Sequence, residues 1–584
     1  MSLTKRTLAE CDAILTAPGM PYEVETRIVD GRVQRVYKHL PRSIRDFWQL
    51  YGAQHREQTY VVYEDLRLTY GEAYDGSLHV ARIFERVYGV RKGDRVAICS
   101  RNLPEYLVAF WACHLIGAVS VMVNAWLPFK PLTYCLEQSA SRLVIVDAER
   151  ADVISPVVPH LRKTGVAGFL VWGSASLRRE WDGLKLWSDV MHLRNQSLEL
   201  LYPPQTDAVT IEPEDDATIF FTSGTTGLPK GVLSTQRQFL TNILNAKIGS
   251  SRAILRSGID LPTDPTGPQK SVLISVPFFH VSGTTSLTML ATSMGMKIVL
   301  MRKWDVTKEN VRIAGGVPAI VADLLDSPLE GHPFETLIFG GSPAHDRLPR
   351  KARMSWPTAN MSQTYGLTEA NSISVSITGE DYEARPTSTG IPSVVNDILI
   401  IRDGMAVPRG QEGEIWLRGP NIMKCYWKDP EATARALTAD GWLKTGDLGL
   451  IDKEGFLYIR DRIKDLINRG GEKIDSISVE NAIHADDRIY QVAAVGVPDP
   501  RLGELVAAVV SVKPGFRGQV KEEEVINMVR GNLPHYAVPV MVIVLNNSFE
   551  LTPSHKIRKE PLRALARQEW ERRSRGPPHT MARL

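Results

Sequence analysis

Cysteine is scarce in this chain. Five residues in 584 (Cys11, Cys99, Cys113, Cys135, Cys425) show neither a CxxC pair nor metal-ligand spacing. That excludes a disulfide-built scaffold and a cysteine-held zinc site, and it fits a reducing compartment. An excess of either charge is missing too. The balance of 69 Lys+Arg against 66 Asp+Glu leaves +3, too little for nucleic acid to be the main partner. The N-terminal MSLTKRTLAECDAIL has no apolar signal core, and its acidic residues argue against a transit peptide. One run, residues 106–123, touches the ~18 residues that a membrane span needs. Asn102 and Pro104 can start a helix there, His114 interrupts the run, and Gly117 can end the helix before a strand at 119–123. No transmembrane span is therefore expected.

What is present is the balance of a soluble globular enzyme, 43% apolar and 23% charged. Short β-branched runs recur: RVAICS (95–100), RLVIVD (142–147), TIFFTSG (218–224), SVLISVPFFH (271–280), KIVLM (297–301) and TLIFGG (336–341). Helix-like segments separate several of them, which predicts an α/β fold with buried, largely parallel sheets. From about residue 390 the texture changes. NDILIIRDG, GEIWLRG and GFLYIRD read as shorter antiparallel strands. After the charged RDRIKD (460–465), a strand pair near 489–513 and a helix near 521–531 outline a compact last unit. The expected division is 1–462, 463–570 and a flexible basic tail at 571–584.

Residues 222–231, TSGTTGLPKG, crowd three glycines, four hydroxyls and a lysine into ten positions. TIFF before them reads as a buried strand, so the loop should leave the edge of a sheet, where α/β folds bind ligands. Backbone N–H groups, Thr222, Ser223, Thr225, Thr226 and Lys230 suit a polyphosphate. Lys230 is followed by Gly231 rather than Ser or Thr, so this is not a Walker A loop. A mobile loop closing over phosphates fits better.

This stretch resembles the phosphate-loop signature of the adenylate-forming superfamily: acyl-CoA synthetases, aryl-CoA ligases, beetle luciferases and nonribosomal adenylation domains. Four further motifs follow in that family's order. QTYGLTE (363–369) is similar to its adenine and magnesium motif, and GWLKTGD (441–447) to its ribose motif. DRIKDLINRGGEKI (461–474) is similar to its hinge motif, and TPSHKIRK (552–559) to its C-terminal lysine motif. Five ordered motifs are far more specific than any one alone. The resemblance covers roughly residues 40–565. It implies a large N-terminal domain of stacked mixed sheets with helices and a small antiparallel barrel, followed by a small mobile α+β domain.

The implied chemistry is ATP- and Mg²⁺-dependent. A carboxylate attacks the α-phosphorus of ATP, pyrophosphate leaves, and the thiol of coenzyme A then displaces AMP. Because an anion must approach a polyanion, the protein has to supply charge and orientation. The resemblance places Thr222, Ser223, Gly224, Thr225, Thr226, Gly227 and Lys230 on the β- and γ-phosphates. Thr368 falls on the α-phosphate, and Glu369 with Thr222 on Mg²⁺. Gly341, Ser342, Gln363, Thr364, Tyr365 and Gly366 would surround adenine, with Tyr365 stacking. Asp447 would accept the ribose hydroxyls and Arg462 would reach the same sugar. Lys556 would bridge carboxylate and α-phosphate, although alone it also reads as a solvated lysine of a basic tail. Lys464 sits at the family's pivot. In a second pose Gly470, Gly471 and Lys473 would replace Lys556 beside the pantetheine channel. His280, in PFFHVSG, matches a position near the acyl pocket, and AGGVPAI (314–320) reads as another wall of it.

Four positions depart from the family pattern. Asp461 and His555 replace glycines, Ser476 stands where proline is common, and Cys425 where glycine precedes tyrosine. Asp461 and His555 are expected to alter hinge motion. No aspartate follows PFFH to pair with an amino acid's ammonium, and no carrier domain follows Lys556, which disfavours a nonribosomal module. The expectation is an acyl-CoA ligase for a fatty or other apolar acid. The alternatives are a stand-alone enzyme loading a carrier protein or polyketide synthase, a luciferase, and a non-catalytic nucleotide-binding scaffold. Ala582, Arg583 and Leu584 resemble a peroxisomal import signal read by its receptor. Peroxisomal residence is the expectation, with the cytoplasm otherwise.

Overall fold

The structure, a computed structural model, describes residues 5–173, 179–191, 209–222, 228–262, 267–301, 311–342, 347–552 and 556–574. Two large sheets dominate the first 400 residues. The first has eight strands in the order Cys425–Tyr426, Gly231–Thr235, Asp216–Phe221, Val119–Met122, Arg95–Cys99, Leu143–Asp147, Gly168–Trp172, Lys185–Leu186. Its strands are parallel from Asp216–Phe221 onward, and the two at the other end are antiparallel. Every residue of Leu143–Asp147 and Gly168–Trp172 is buried, as a strand covered on both faces requires. The second sheet has nine strands and is parallel across its middle, including the pair Thr336–Gly340 and Asn360–Tyr365.

Helices Ile44–Gln54, Tyr70–Arg86 and Pro104–Leu115 share one hydrophobic cluster with both sheets. The rings of Trp48 and Trp111 stack within it, 4.4 Å apart and 6° from parallel. The long apolar run resolves as expected. Helix Pro104–Leu115 is largely apolar because ten of its twelve residues are buried, and Gly117 (φ 71°) turns the chain into strand Val119–Met122. No described helix is long and apolar enough to cross a membrane.

The three segments read as short antiparallel strands supply three strands of a third, five-stranded antiparallel sheet. Its order is Met405–Ala406, Asp397–Arg402, Gly413–Arg418, Leu443–Ile451, Leu457–Arg462. The ribose-like motif GWLKTGD, read only as a motif, runs into the strand Leu443–Ile451 of this sheet. Beyond it, strands Ile489–Asp499 and Gly503–Val512 pair along their length, and Met541–Leu545 joins the second of them in parallel. Two hydrophobic clusters draw only on residues from Ile467 onward, and the other four only on residues up to Ile459. Helix Lys559–Ser574 takes in the first four residues of the expected tail, because Leu562 and Ala566 bury its inner face against strand Ile489–Asp499.

Candidate active site

The phosphate-type loop connects strand Asp216–Phe221 to its antiparallel neighbour Gly231–Thr235. Its base is closed by the Thr222 N–H donating to the Lys230 carbonyl at 2.9 Å and the Lys230 N–H donating to Thr222 Oγ1 at 3.3 Å. The loop is thus a strand-to-strand connection, not the strand-to-helix turn of a P-loop. The expectation of a sheet edge needs correction. Asp216–Phe221 is interior, flanked by Val119–Met122, and the edge belongs to Cys425–Tyr426. Ser223, Gly224, Thr225, Thr226 and Gly227 lie outside the described residues, as do His555, Ala582, Arg583 and Leu584.

Opposite this loop, strands Thr336–Gly340 and Asn360–Tyr365 end side by side. Gly366 then passes so close to the Ser372 carbonyl that a β-carbon would lie 1.4 Å from its oxygen, which admits only glycine. The chain turns through Thr368–Ala370, where Glu369 accepts a hydrogen bond from the Tyr426 hydroxyl at 2.6 Å. The ammonium of Lys230 lies 4.9 Å from the centre of the Tyr426 ring. One tyrosine therefore joins the phosphate-loop lysine to the proposed metal carboxylate, a role the sequence reading did not give it. Asp447, buried, accepts from the Tyr365 hydroxyl at 2.7 Å, and Arg462 Nε stands 3.4 Å from its other oxygen. Burial pushes the Asp447 carboxyl up, while Arg462, Tyr365 and Lys556 pull it back. Tyr365 and Asp447, expected to serve adenine and ribose separately, are already partners.

Lys556 enters this group from the C-terminal unit. Two hydrogen bonds tie its backbone to Thr552: the Thr552 N–H donates to the Lys556 carbonyl at 2.7 Å, and Thr552 Oγ1 accepts the Lys556 N–H at 3.0 Å. A β-carbon on Gly341 would lie 3.4 Å from Lys556 Cε. Burial and Arg462 lower the Lys556 pKa to about 8, opposed by Asp447 and Glu369. His280 is lowered to about 3, by burial and then by Lys556. Its Nδ1 accepts the Ser282 N–H at 3.3 Å, so the neutral ring carries its proton on Nε2.

These groups face one cavity of about 2590 Å³. That exceeds the roughly 300–1,000 Å³ of a single small-molecule site and leaves room for several ligands. Its lining includes Thr222, Lys230, His280, Gly341, Ser342, Gln363, Thr364, Tyr365, Gly366, Thr368, Glu369, Asp447, Arg462, Lys464 and Lys556. Gly470, Gly471 and Lys473 are not among them. The two glycines form a two-residue hairpin turn with φ of 61° and 96° between Ile467–Arg469 and Glu472–Ile474, on the far side of the hinge. The described residues hold no cluster of three or more His, Cys, Asp or Glu for a metal. Glu369 and the oxygens of a polyphosphate are the kind of hard donors that Mg²⁺ takes.

What holds Lys556 here is a buried network across the hinge. Asp461, 3% exposed at the end of the third sheet, accepts the Arg462 N–H at 2.7 Å and the Ser476 N–H at 2.5 Å. Ser476 opens helix Ser476–Ile483 of the C-terminal unit. Its hydroxyl accepts from Lys559 Nζ at 2.6 Å, and the same ammonium pairs with Glu480 at 2.7 Å. Arg563 reaches Asp465 at 3.0 Å. Farther out, Lys351 pairs with Asp487, and the Tyr490 hydroxyl bonds Asp323.

Residues 48–427 match the family model described as AMP-binding enzyme, and residues 478–556 the one described as AMP-binding enzyme C-terminal domain. The chain is 30% identical over 512 residues to the long-chain-fatty-acid–CoA ligase FadD13 of Mycobacterium tuberculosis, covering 85% of this chain and 93% of that protein. It is 30% identical over 529 residues to the 2-succinylbenzoate–CoA ligase of Bacillus velezensis, covering 88% and 96%. Among solved structures, the o-succinylbenzoate CoA synthetase of Bacillus subtilis with its acyl-adenylate matches with a TM-score of 0.72 at 26% identity, over 88% of this chain and 97% of that one.

Two outcomes follow from this geometry. Asp461→Gly removes a charge-assisted bond across the hinge, the kind worth about 1.5–3 kcal/mol. ATP–pyrophosphate exchange should fall at least ~10-fold while release of acyl-AMP to a thiol is spared, and Ser476→Pro should act in the same direction. Equal loss in both half-reactions would show the network to be merely structural. Second, kcat/KM for adenylation should decline above pH ~8 as Lys556 loses its proton. The decline in kcat should lie higher, because bound phosphate favours the charged lysine. His280, already neutral, should contribute no limb between pH 5 and 8; a pH series with Lys556→Arg assigns the alkaline limb.

Proposed function

The chain belongs to the AMP-binding enzyme family, and from that premise we propose that it activates an acid with an apolar body and joins it to coenzyme A. The family makes it an acid–thiol ligase of the AMP-forming kind. The observation that carries the rest is Lys556. The C-terminal unit delivers a largely desolvated ammonium beside Gly341, within the electrostatic reach of Glu369, Asp447 and Arg462.

In the first step a carboxylate oxygen bonds to the α-phosphorus of ATP, and the bond to the β-phosphate bridging oxygen breaks, releasing pyrophosphate. Lys556 neutralises charge on both reactants, and Lys230 with the Thr222 end of the loop meets the departing phosphates. Glu369, together with phosphate oxygens, would hold Mg²⁺, which would supply further neutralisation. Asp447 and Arg462 orient the ribose, and Thr368, next to Glu369 on the cavity wall, holds the α-phosphate in this reading. His280, neutral, offers an N–H rather than a cation to the substrate carboxylate. In the second step the CoA sulfur bonds to the acyl carbon and AMP departs with the shared oxygen. Val281, Gly316, Val317, Ala319 and Ile338 line the cavity together with His280 and support an apolar acyl body.

A mass-detected assay with ATP, Mg²⁺, CoA and a panel of fatty and aryl acids tests this reading. Lys556→Ala should lower acyl-adenylate formation about 100- to 1000-fold, the usual cost of removing one such donor. Thioester formation from supplied acyl-adenylate should survive. Acyl-adenylate without acyl-CoA in the native enzyme would make a carrier protein the acceptor. ATP binding without AMP from any acid would overturn the enzyme reading.

A further inference from the structure

Helix Gln236–Arg256 runs along the cavity, and its two faces have different tasks. The Asn245, Gly249 and Arg252 face packs on the second sheet and its extensions. Asn245 donates to the Ile373 carbonyl, a β-carbon on Gly249 would meet Ser376, and Arg252 donates to the Pro392 carbonyl. The opposite face turns Ile243, Lys247, Ser250 and Ile254 into the cavity, at the i, i+4, i+7, i+11 spacing of a helical stripe.

Lys247 is out of place on that stripe. It is partly buried, and its ammonium makes no hydrogen bond or ion pair among the described residues. The apolar side chains of Phe47, Leu290 and Met294 line the same cavity. Burial lowers its pKa, to about 8, with no carboxylate among the described residues opposing. The mechanism above does not use it. Asn242 bonds the backbone of Ile373, just beyond the Thr368–Ala370 turn, and Lys247 lies five residues farther along the helix. At 1.5 Å per residue that puts it about 7–8 Å farther from the adenylating centre along the helix axis.

A partly desolvated cation with no partner among the described residues is unfavourable to keep unless something pairs with it. The polar groups nearest along the helix do not. The Ser251 hydroxyl is bonded to Tyr22, and His39, on the same cavity wall, is bonded to Glu23. We propose that Lys247 reads a second anionic group on the acid, carried at the end of an apolar body remote from the carboxylate that is activated. The inference rests on the acyl-CoA ligase reading and adds to it the class of substrate: a diacid or comparably charged acid rather than a plain hydrocarbon chain.

The test compares unbranched α,ω-dicarboxylates with monocarboxylates of the same length in the ATP–pyrophosphate exchange assay, using native enzyme and Lys247→Met. In the native enzyme, diacids of fitting length should exceed their monoacid counterparts in kcat/KM by about 10- to 100-fold, the scale of one charge-assisted hydrogen bond. Lys247→Met should erase that advantage through KM while leaving monoacid turnover within about 2-fold. The variant should also melt higher than the native enzyme without ligand, since it loses a partly desolvated charge with no partner among the described residues. Monoacids preferred by the native enzyme, or an equal change for both classes, would overturn the inference and leave the ligase reading intact. A lower melting point in Lys247→Met would equally overturn it, by showing that the lysine supports the fold. Exchange with no acid of either class would overturn the ligase reading, and this inference with it.

Discussion

The site depends on one placement, that of a single ammonium among anions it must hold together. Lys556 lies on a segment whose nearest helix belongs to the small unit, yet its terminal atoms lie against Gly341 of the large one. Coulomb attraction between a lysine and phosphate is weak in water and strong once water is excluded. The lowered pKa of Lys556 records that exclusion. The same desolvation makes the cation costly until an anion arrives, so the site favours an anionic ligand electrostatically. Preorganisation of this kind needs a rigid support, and Lys559, three residues on, is anchored to Ser476 and Glu480.

The rest of the architecture can be understood from that placement. Two sheets bring three strand ends to one region: Asp216–Phe221 from the first, Thr336–Gly340 and Asn360–Tyr365 from the second. The third sheet contributes Asp447 and, at its last strand, Arg462. The small unit closes the remaining side. No single layer owns the chemistry, and Tyr426 shows the stitching most clearly. It sits on the edge strand of the first sheet and bonds Glu369, which lies between two strands of the second.

Much of this was legible in the sequence, for definite reasons. Glycine, hydroxyl and lysine clustering betrays a phosphate-type loop, and continuous β-branched runs betray strands buried on both faces. The helix before Gly117 could be told from a membrane span by its own start and stop residues. What could not be read is contact between distant positions. Tyr426 is an ordinary tyrosine until Glu369, 57 residues earlier, is folded against it. The strand Leu443–Ile451 was hidden because its sequence reads more strongly as a motif than as alternation. Lys247 carried no signal beyond one charge on an amphipathic helix, where a lysine normally points to water.

The two departures at the hinge make physical sense only together. Where the family pattern leads one to expect glycine, a buried aspartate alone would be a desolvated carboxylate, and burial indeed pushes Asp461 up. Where proline is expected, Ser476 occupies the first position of a helix. Proline suits that position because its missing N–H would be unused there. Serine leaves the donor in place, and that otherwise orphan N–H is the one Asp461 accepts. The carboxylate also lies at the favourable end of the helix dipole and within the field of Lys559. Replacing either residue by the expected one would strand the other: proline would leave the carboxylate short of a donor, and glycine would leave the helix N–H without its acceptor. The pair puts a charge-assisted catch where the expected glycine and proline would leave none, at the point where the chain passes from the large unit to the small one.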